Sequence, residues 1–161
     1  MKNIFLITLS VVLLTSCTAT QYAYTDFNEP IIRTYEVNGN KDELFLKSNL
    51  WMISVFKDAK SVIQYSDKNE GILAGKYLLH YYVNPYSHND DSKYAVIEIR
   101  IKDNKAHISV TPDNWKYSTF DIYNRPVKGT EWNYNKEMAL ADIEALCESF
   151  NAGLTAQRAD F

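Results

Sequence analysis

Two alternating runs separated by a pair of turn residues constrain this chain more than any other feature. Ala95, Ile97, Ile99 and Ile101 alternate with Val96, Glu98, Arg100 and Lys102, and then Ala106, Ile108 and Val110 alternate with His107, Ser109 and Thr111. A period of two marks a strand with one buried face. Asp103-Asn104 between the runs suits a two-residue turn, because both residue types tolerate a positive φ. That turn predicts a register with Ile101 opposite Ala106 and Ile99 opposite Ile108 on the core side. Arg100 then faces His107, and Glu98 faces Ser109, on the other side. A slip of one residue would mix the two faces, so the register is tightly specified.

The rest of the chain supplies partners for this hairpin. Ile31 to Val37 is β-branched and aromatic and stops at the turn pair Asn38-Gly39, predicting a first strand. Beyond Asp42, residues Leu44, Ser48, Trp51, Met52 and Val55 share one helical face with Phe56 beside it. This spacing predicts a helix over about 41–58, anchored by Trp51. Ser61 to Ser66 reads as a short strand, Asp67-Lys68-Asn69-Glu70-Gly71 as a turn, and Ile72 to Val83 as a longer strand. In that strand Leu73, Tyr77, Leu79, Tyr81 and Val83 fit the inward side, Leu78 is out of step, and Gly75 marks a bulge or a close helix approach. Asn84 to Ser92 is a polar loop. Pro112 to Lys128 carries Trp115, Tyr117, Phe120 and Tyr123 without a period, and is expected along the domain's edge with room for one short strand. In the closing helix Leu140, Ile143, Leu146, Cys147 and Phe150 share a face, Glu137, Asp142, Glu144 and Glu148 lie off it, and Gly153 fits a C-cap. The expected fold is α+β: an antiparallel sheet in the order β-α-β-β-β-β-α with two helices packed on one face.

Composition narrows the class. With 161 residues, 23% charged, 46% hydrophobic and only 5 Gly and 4 Pro, the chain fits one ordinary domain rather than disorder, collagen or coiled coil. A net charge of −3 and a pI near 5.6 speak against nucleic acid as a partner, since phosphate neutralisation wants a basic surface. Two cysteines exclude a disulfide-dense mini-protein and a four-cysteine zinc site.

The N-terminus carries an address. Lys2 precedes Ile4 to Leu14, a run apolar except for Thr8 and Ser10. It is shorter than the roughly 20 residues a spanning helix needs, so it reads as the apolar region of a signal peptide. It ends in Leu14-Thr15-Ser16-Cys17, which resembles the lipobox of bacterial lipoproteins. The resemblance implies removal of residues 1–16 and a diacylglycerol thioether plus an N-acyl chain on Cys17. Several chains anchor a protein that one would hold only marginally. With Cys17 so used, Cys147 has no intrachain disulfide partner. Residues 17–30 then read as the lipidated N-terminus and a polar tether of about 40 Å when extended, and 31–161 as a single domain. The implied place is the bacterial cell envelope, on the membrane through Cys17. Thr18-Ala19 puts no acid directly after the cysteine, which by resemblance to lipoprotein sorting favours the outer membrane.

A second resemblance covers about 31–112. Tyr35-Glu36-Val37-Asn38-Gly39, Lys41-Asp42-Glu43-Leu44, Trp51, Val62-Ile63, Asp67, Gly71-Ile72, Gly75-Lys76 and the Ile97–Val110 hairpin resemble bacterial lipoproteins grouped as a domain of unknown function with a TATA-binding-protein-like fold. This implies a curved antiparallel sheet with helices on one side and no known activity. Where that family has a basic residue in its fifth strand, this chain has Ala106-His107.

Chemistry-bearing patterns are sparse. Asp67 to Gly71 begins like a calcium loop, but the twelfth position is Leu78 and the glycine comes one place early, so it reads as a turn. His88 with Asp90 and Asp91 reads as a solvated loop, and His80 and His107 lie on different strands. No G-x-S-x-G elbow occurs, Cys147 on an apolar stripe behaves as a small core hydrophobe, and no carboxylate pair suggests glycosidase chemistry. No metal, cofactor or catalytic residue is therefore expected. The 12 tyrosines outnumber 7 Phe and 3 Trp. Tyrosine is a β-former, and it also suits binding surfaces that are half apolar and half wet. The candidate binding face is the open side of the sheet, carrying Lys76, His80, Tyr82, Glu98, Arg100 and His107. The expectation is a non-enzymatic envelope domain that binds another protein. The alternative is a glycan or other small ligand stacking on the same tyrosines.

Overall fold

The computed structural model of this chain describes residues 24–56, 62–83, 90–113, 115–118, 125–126 and 134–156. The expected signal peptide, Cys17, the loop histidine His88 and the aromatic pair Phe120 and Tyr123 lie outside them. In chain order the elements are β1 (Tyr24–Phe27), β2 (Ile31–Glu36), α1 (Lys41–Val55), β3 (Ile63–Asp67), β4 (Ile72–Val83), β5 (Asp90–Lys102), β6 (Lys105–Pro112), β7 (Trp115–Ser118) and α2 (Lys136–Thr155). Five strands form an antiparallel sheet in the spatial order β2-β6-β5-β4-β3, and β1 pairs separately with β7. The α+β architecture follows the expected order, with one short strand added at each end of the strand series.

The β5–β6 hairpin sits at the centre with the predicted register, Ile101 opposite Ala106, Arg100 opposite His107 and Glu98 opposite Ser109. Asn104 takes the positive φ, 58°. The same turn organises the start of α1. Asn104 Oδ1 accepts from Gly39 N at 3.1 Å and Asp103 Oδ1 from Lys41 N at 2.7 Å. The hairpin tip thus holds the chain where the helix begins, and Asn40 caps that helix by accepting from Glu43 N at 2.9 Å. Asn135 caps α2 in the same way, through Met138 N at 3.0 Å.

Both helices cover one face of the sheet. Leu73, Ile97, Ile99, Ile101, Ile108 and Val110 from the strands meet Leu44, Trp51 and Met52 from α1 and Ile143, Cys147, Phe150 and Leu154 from α2 in one buried cluster. Trp51 joins the helices: its ring meets Phe150 edge-on at 5.0 Å, and its Nε1 donates to Ser149 Oγ at 3.0 Å. No helix among the described residues is long and apolar enough to cross a membrane.

Several local expectations shift. α1 ends at Val55 rather than near 58. Val55 and Leu140, placed on the inner stripes by spacing, are exposed, while Ala139 and Leu154 take inner positions on α2. Gly153 does not cap α2, which continues to Thr155. It lies where the helices touch, and a Cβ there would come within 2.9 Å of Trp51 Cδ1. The glycine is needed for the close approach of two helices, which no single-helix periodicity reveals. Gly75 does lie opposite an irregularity, between Ile63 and Tyr65 of β3, and its close neighbour is the Val62 carbonyl rather than a helix. Residues 24–27, expected as part of the tether, form β1, with Phe27 buried beside Trp115 at a ring separation of 5.6 Å. Tyr134 and Ala139 complete this second, smaller core.

Candidate functional site: the open face of the sheet

The register of each strand pair defines which side chains lie away from the helices. Around the central hairpin these are Glu98, Arg100 and Lys102 from β5 and Lys105, His107 and Ser109 from β6, flanked by Ile32, Thr34 and Glu36 of β2. On the other flank stand Ile72, Ala74, Lys76 and Leu78 of β4, then Tyr65 and Asp67 of β3.

Four expected site residues meet here. Arg100 Nε donates to Glu98 Oε1 at 2.6 Å, a contact that raises the guanidinium pKa further. His107 Nδ1 lies 3.0 Å from Thr34 Oγ1. Lys76 Nζ is 2.6 Å from Asp113 Oδ2 and 4.9 Å from the centre of the Tyr94 ring. Lys105 pairs with Glu36 at 2.8 Å. Lys76, Arg100 and Lys105 are each paired with a carboxylate at the surface. Between and beside these pairs stand exposed Ile32, Tyr65, Leu78, Tyr81, Tyr94 and Val96.

His80 and Tyr82 are not on this face. β4 pairs Leu78 with Tyr94 and then His80 with Lys93, leaving Leu79 as an extra residue in a bulge. One inserted residue reverses the alternation beyond it, so His80 and Tyr82 turn to the helix side and Tyr81 turns to the open side. His80 stacks flat on Tyr134, 4.1 Å between ring centres with 2° between planes, and Tyr134 stacks on Trp115 at 5.2 Å. The Tyr134 hydroxyl donates to Asp142 Oδ2 at 2.6 Å, and burial together with that carboxylate pushes its pKa well up. Leu78, the apolar residue out of step in the sequence, stands exposed on the open side immediately before this bulge.

Asp67 behaves as a turn residue. Its Oδ1 accepts from Asn69 N at 2.8 Å and Glu70 N at 3.0 Å, which hold the carboxyl below its ordinary pKa. On the helix side of the molecule a cavity of about 520 Å³ opens between α1 and the β3–β4 turn, lined by Asn40, Asp42, Glu43, Phe45, Leu46, Asn49 and Lys68. The Lys68–Asp42 ion pair, 2.9 Å, stands at its edge.

Cys147 is fully buried in the core. Burial, helped by Glu144, pushes its thiol from 9.0 up to about 11, and burial pushes the Tyr35 hydroxyl from 10.0 to about 12. An acid whose folded pKa is raised stabilises the fold while it stays protonated. That contribution is complete below the unfolded pKa and is lost as pH rises through the folded one. The urea midpoint is therefore expected to fall between about pH 9 and about pH 12, and Cys147→Ala to make the fall shallower. An identical decline in both proteins would exclude the thiol as a contributor.

Residues 36–117, about half of the chain and including the whole open face from β3 to β6, match the family model of a domain of unknown function with a TBP-like fold, DUF4468. The chain belongs to the DUF4468 family. Solved structures agree at the level of fold. A DUF4468 family protein from Bacteroides ovatus aligns at TM-score 0.55 and 13% identity, over 89% of this chain and 95% of that one. A TBP-like protein from Parabacteroides distasonis aligns at TM-score 0.50 and 15% identity, over 81% and 95%. No curated protein matches the sequence. The DUF4468 fold carries no activity with it, because function resides in the site rather than in the architecture.

Proposed function

We propose that this DUF4468 chain is a bacterial envelope lipoprotein, held at a membrane by lipid on Cys17, whose open sheet face binds another protein without catalysing a reaction. The anchor rests on the lipobox resemblance, and the absence of an acid after Cys17 favours the outer membrane. The observation supporting the binding role is the middle of the open face. There exposed Ile32 and Tyr65 flank the Arg100–Glu98 pair and the His107–Thr34 contact. Aromatic and arginine side chains dominate protein interfaces energetically. Because Arg100 and Glu98 are already paired, a partner meets an arginine whose charge is offset rather than bare.

Crosslinking the lipidated protein in intact cells, followed by mass spectrometry of what it captures, tests this reading. Arg100→Ala and Tyr65→Ala are each expected to lose the captured protein with Tm little changed, since both side chains are exposed. Capture retained in both variants would refute the open-face site.

A further inference from the structure

We infer that one end of the open face, built from Leu78, Tyr81, Tyr94 and Val96, seats the domain on a phospholipid bilayer. This rests on the proposal that Cys17 carries lipid, and the structure adds the geometry. β1 begins at Tyr24, so only residues 18–23 lie between it and Cys17. The seven steps from Cys17 to Tyr24 span at most about 25 Å, well short of the 40 Å expected of a free tether reaching residue 30. β1 pairs with β7, and Phe27 packs on Trp115. β7 follows the end of β6 where Pro112 pairs with Ala95, and Asp113 N donates to Tyr94 O at 2.9 Å. β1 thus lies at the end of the sheet where Leu78 opposes Tyr94 and Tyr81 opposes Ser92, and the tether leads off from its Tyr24 end, beside Ser118.

The open face is graded along the strands. At the anchor end Leu78 is 47% exposed, Tyr81 53%, Tyr94 42% and Val96 41%. At the far end stand exposed Lys102, Lys105 and Glu36. Tyrosine belongs where one side of the ring is apolar and its hydroxyl is wet, which is the condition at a bilayer interface. Lys76, paired with Asp113 and lying over the Tyr94 ring, borders the patch, its stem on apolar surface and its charge at the rim. A short tether makes this second contact intramolecular, so even weak interfacial affinity suffices. Seated in this way, the domain would turn the charged end of the face, with Arg100 and His107, away from the lipid.

The test uses the lipidated full-length chain in vesicles of phosphatidylethanolamine and phosphatidylglycerol, with an environment-sensitive fluorophore on Tyr81→Cys or Lys102→Cys. Cys147 is buried and stays unlabelled. The probe at 81 is expected to shift to the blue and gain intensity several-fold, and the probe at 102 to remain as in water. Mass spectrometry of the N-terminal peptide reports separately on Cys17. An unlipidated Cys17 would remove the anchor reading and this inference together. A lipidated chain whose probe at 81 stays wet, or whose two probes respond equally, would overturn the seating alone. A probe at 81 shielded only in native membranes would assign the patch to a protein instead, and would also overturn it.

Discussion

Phe150→Ala is expected to lower the unfolding free energy by about 3–5 kcal/mol, the range for removing a fully buried phenylalanine. Phe150 is inaccessible to solvent and makes edge-on contacts with Trp51 at 5.0 Å and Tyr35 at 6.2 Å. It thus touches α1 and the edge strand β2 from its place on α2, and its loss leaves a void among three elements. Those elements belong to different parts of the chain and cannot collapse together without shifting the sheet. For a chain of this length the drop corresponds to roughly 8–15 °C in Tm. Leu140→Ala on the exposed side of the same helix is expected to stay within about 0.5 kcal/mol. Urea or thermal unfolding of both variants checks the pair, and a Phe150→Ala loss no larger than that of Leu140→Ala would show that the two helices do not share one core.

The second large effect concerns one backbone position. Gly71 has φ +69°, and a Cβ there would overlap the carbonyl oxygen of Ile101 on the central strand β5. The Gly71 carbonyl also accepts from Ile101 N at 2.7 Å, so the two backbones are held together and neither can retreat without losing that bond. The left-handed conformation costs an L-residue about 1–2 kcal/mol, and forced overpacking adds about 1–3 kcal/mol. Gly71→Ala is therefore expected to cost about 2–5 kcal/mol on those two counts. Asn69→Ala in the same turn serves as the comparison and should cost far less. Equal urea midpoints for Gly71→Ala and the parent protein would contradict this account of the β3–β4 turn. The effect also bears on the open face, because Ile72, beside the glycine, pairs with Arg100.

What residue order makes legible is what short-range rules control. The register of β5 with β6 follows from alternation and a two-residue turn, and those two local features suffice to set Arg100 opposite His107. The helical face carrying Leu44, Ser48, Trp51 and Met52 is legible for the same reason: a period of 3.6 is local. Tertiary structure decided the rest. A single inserted residue at Leu79 sent His80 and Tyr82 to the helix side and brought Tyr81 outward, since alternation has no memory across a bulge. Gly153 fits a helix end by local rules because its actual neighbour, Trp51, is about a hundred residues away in sequence. Tyr24 to Phe27 lacks a pattern of its own and becomes a strand only because Trp115 to Ser118 lies beside it. Alternation and turn chemistry thus determined the centre of the sheet and the side its charges occupy. Long-range packing determined which tyrosines join those charges and that residues 24–27 pair with β7 instead of extending as a tether.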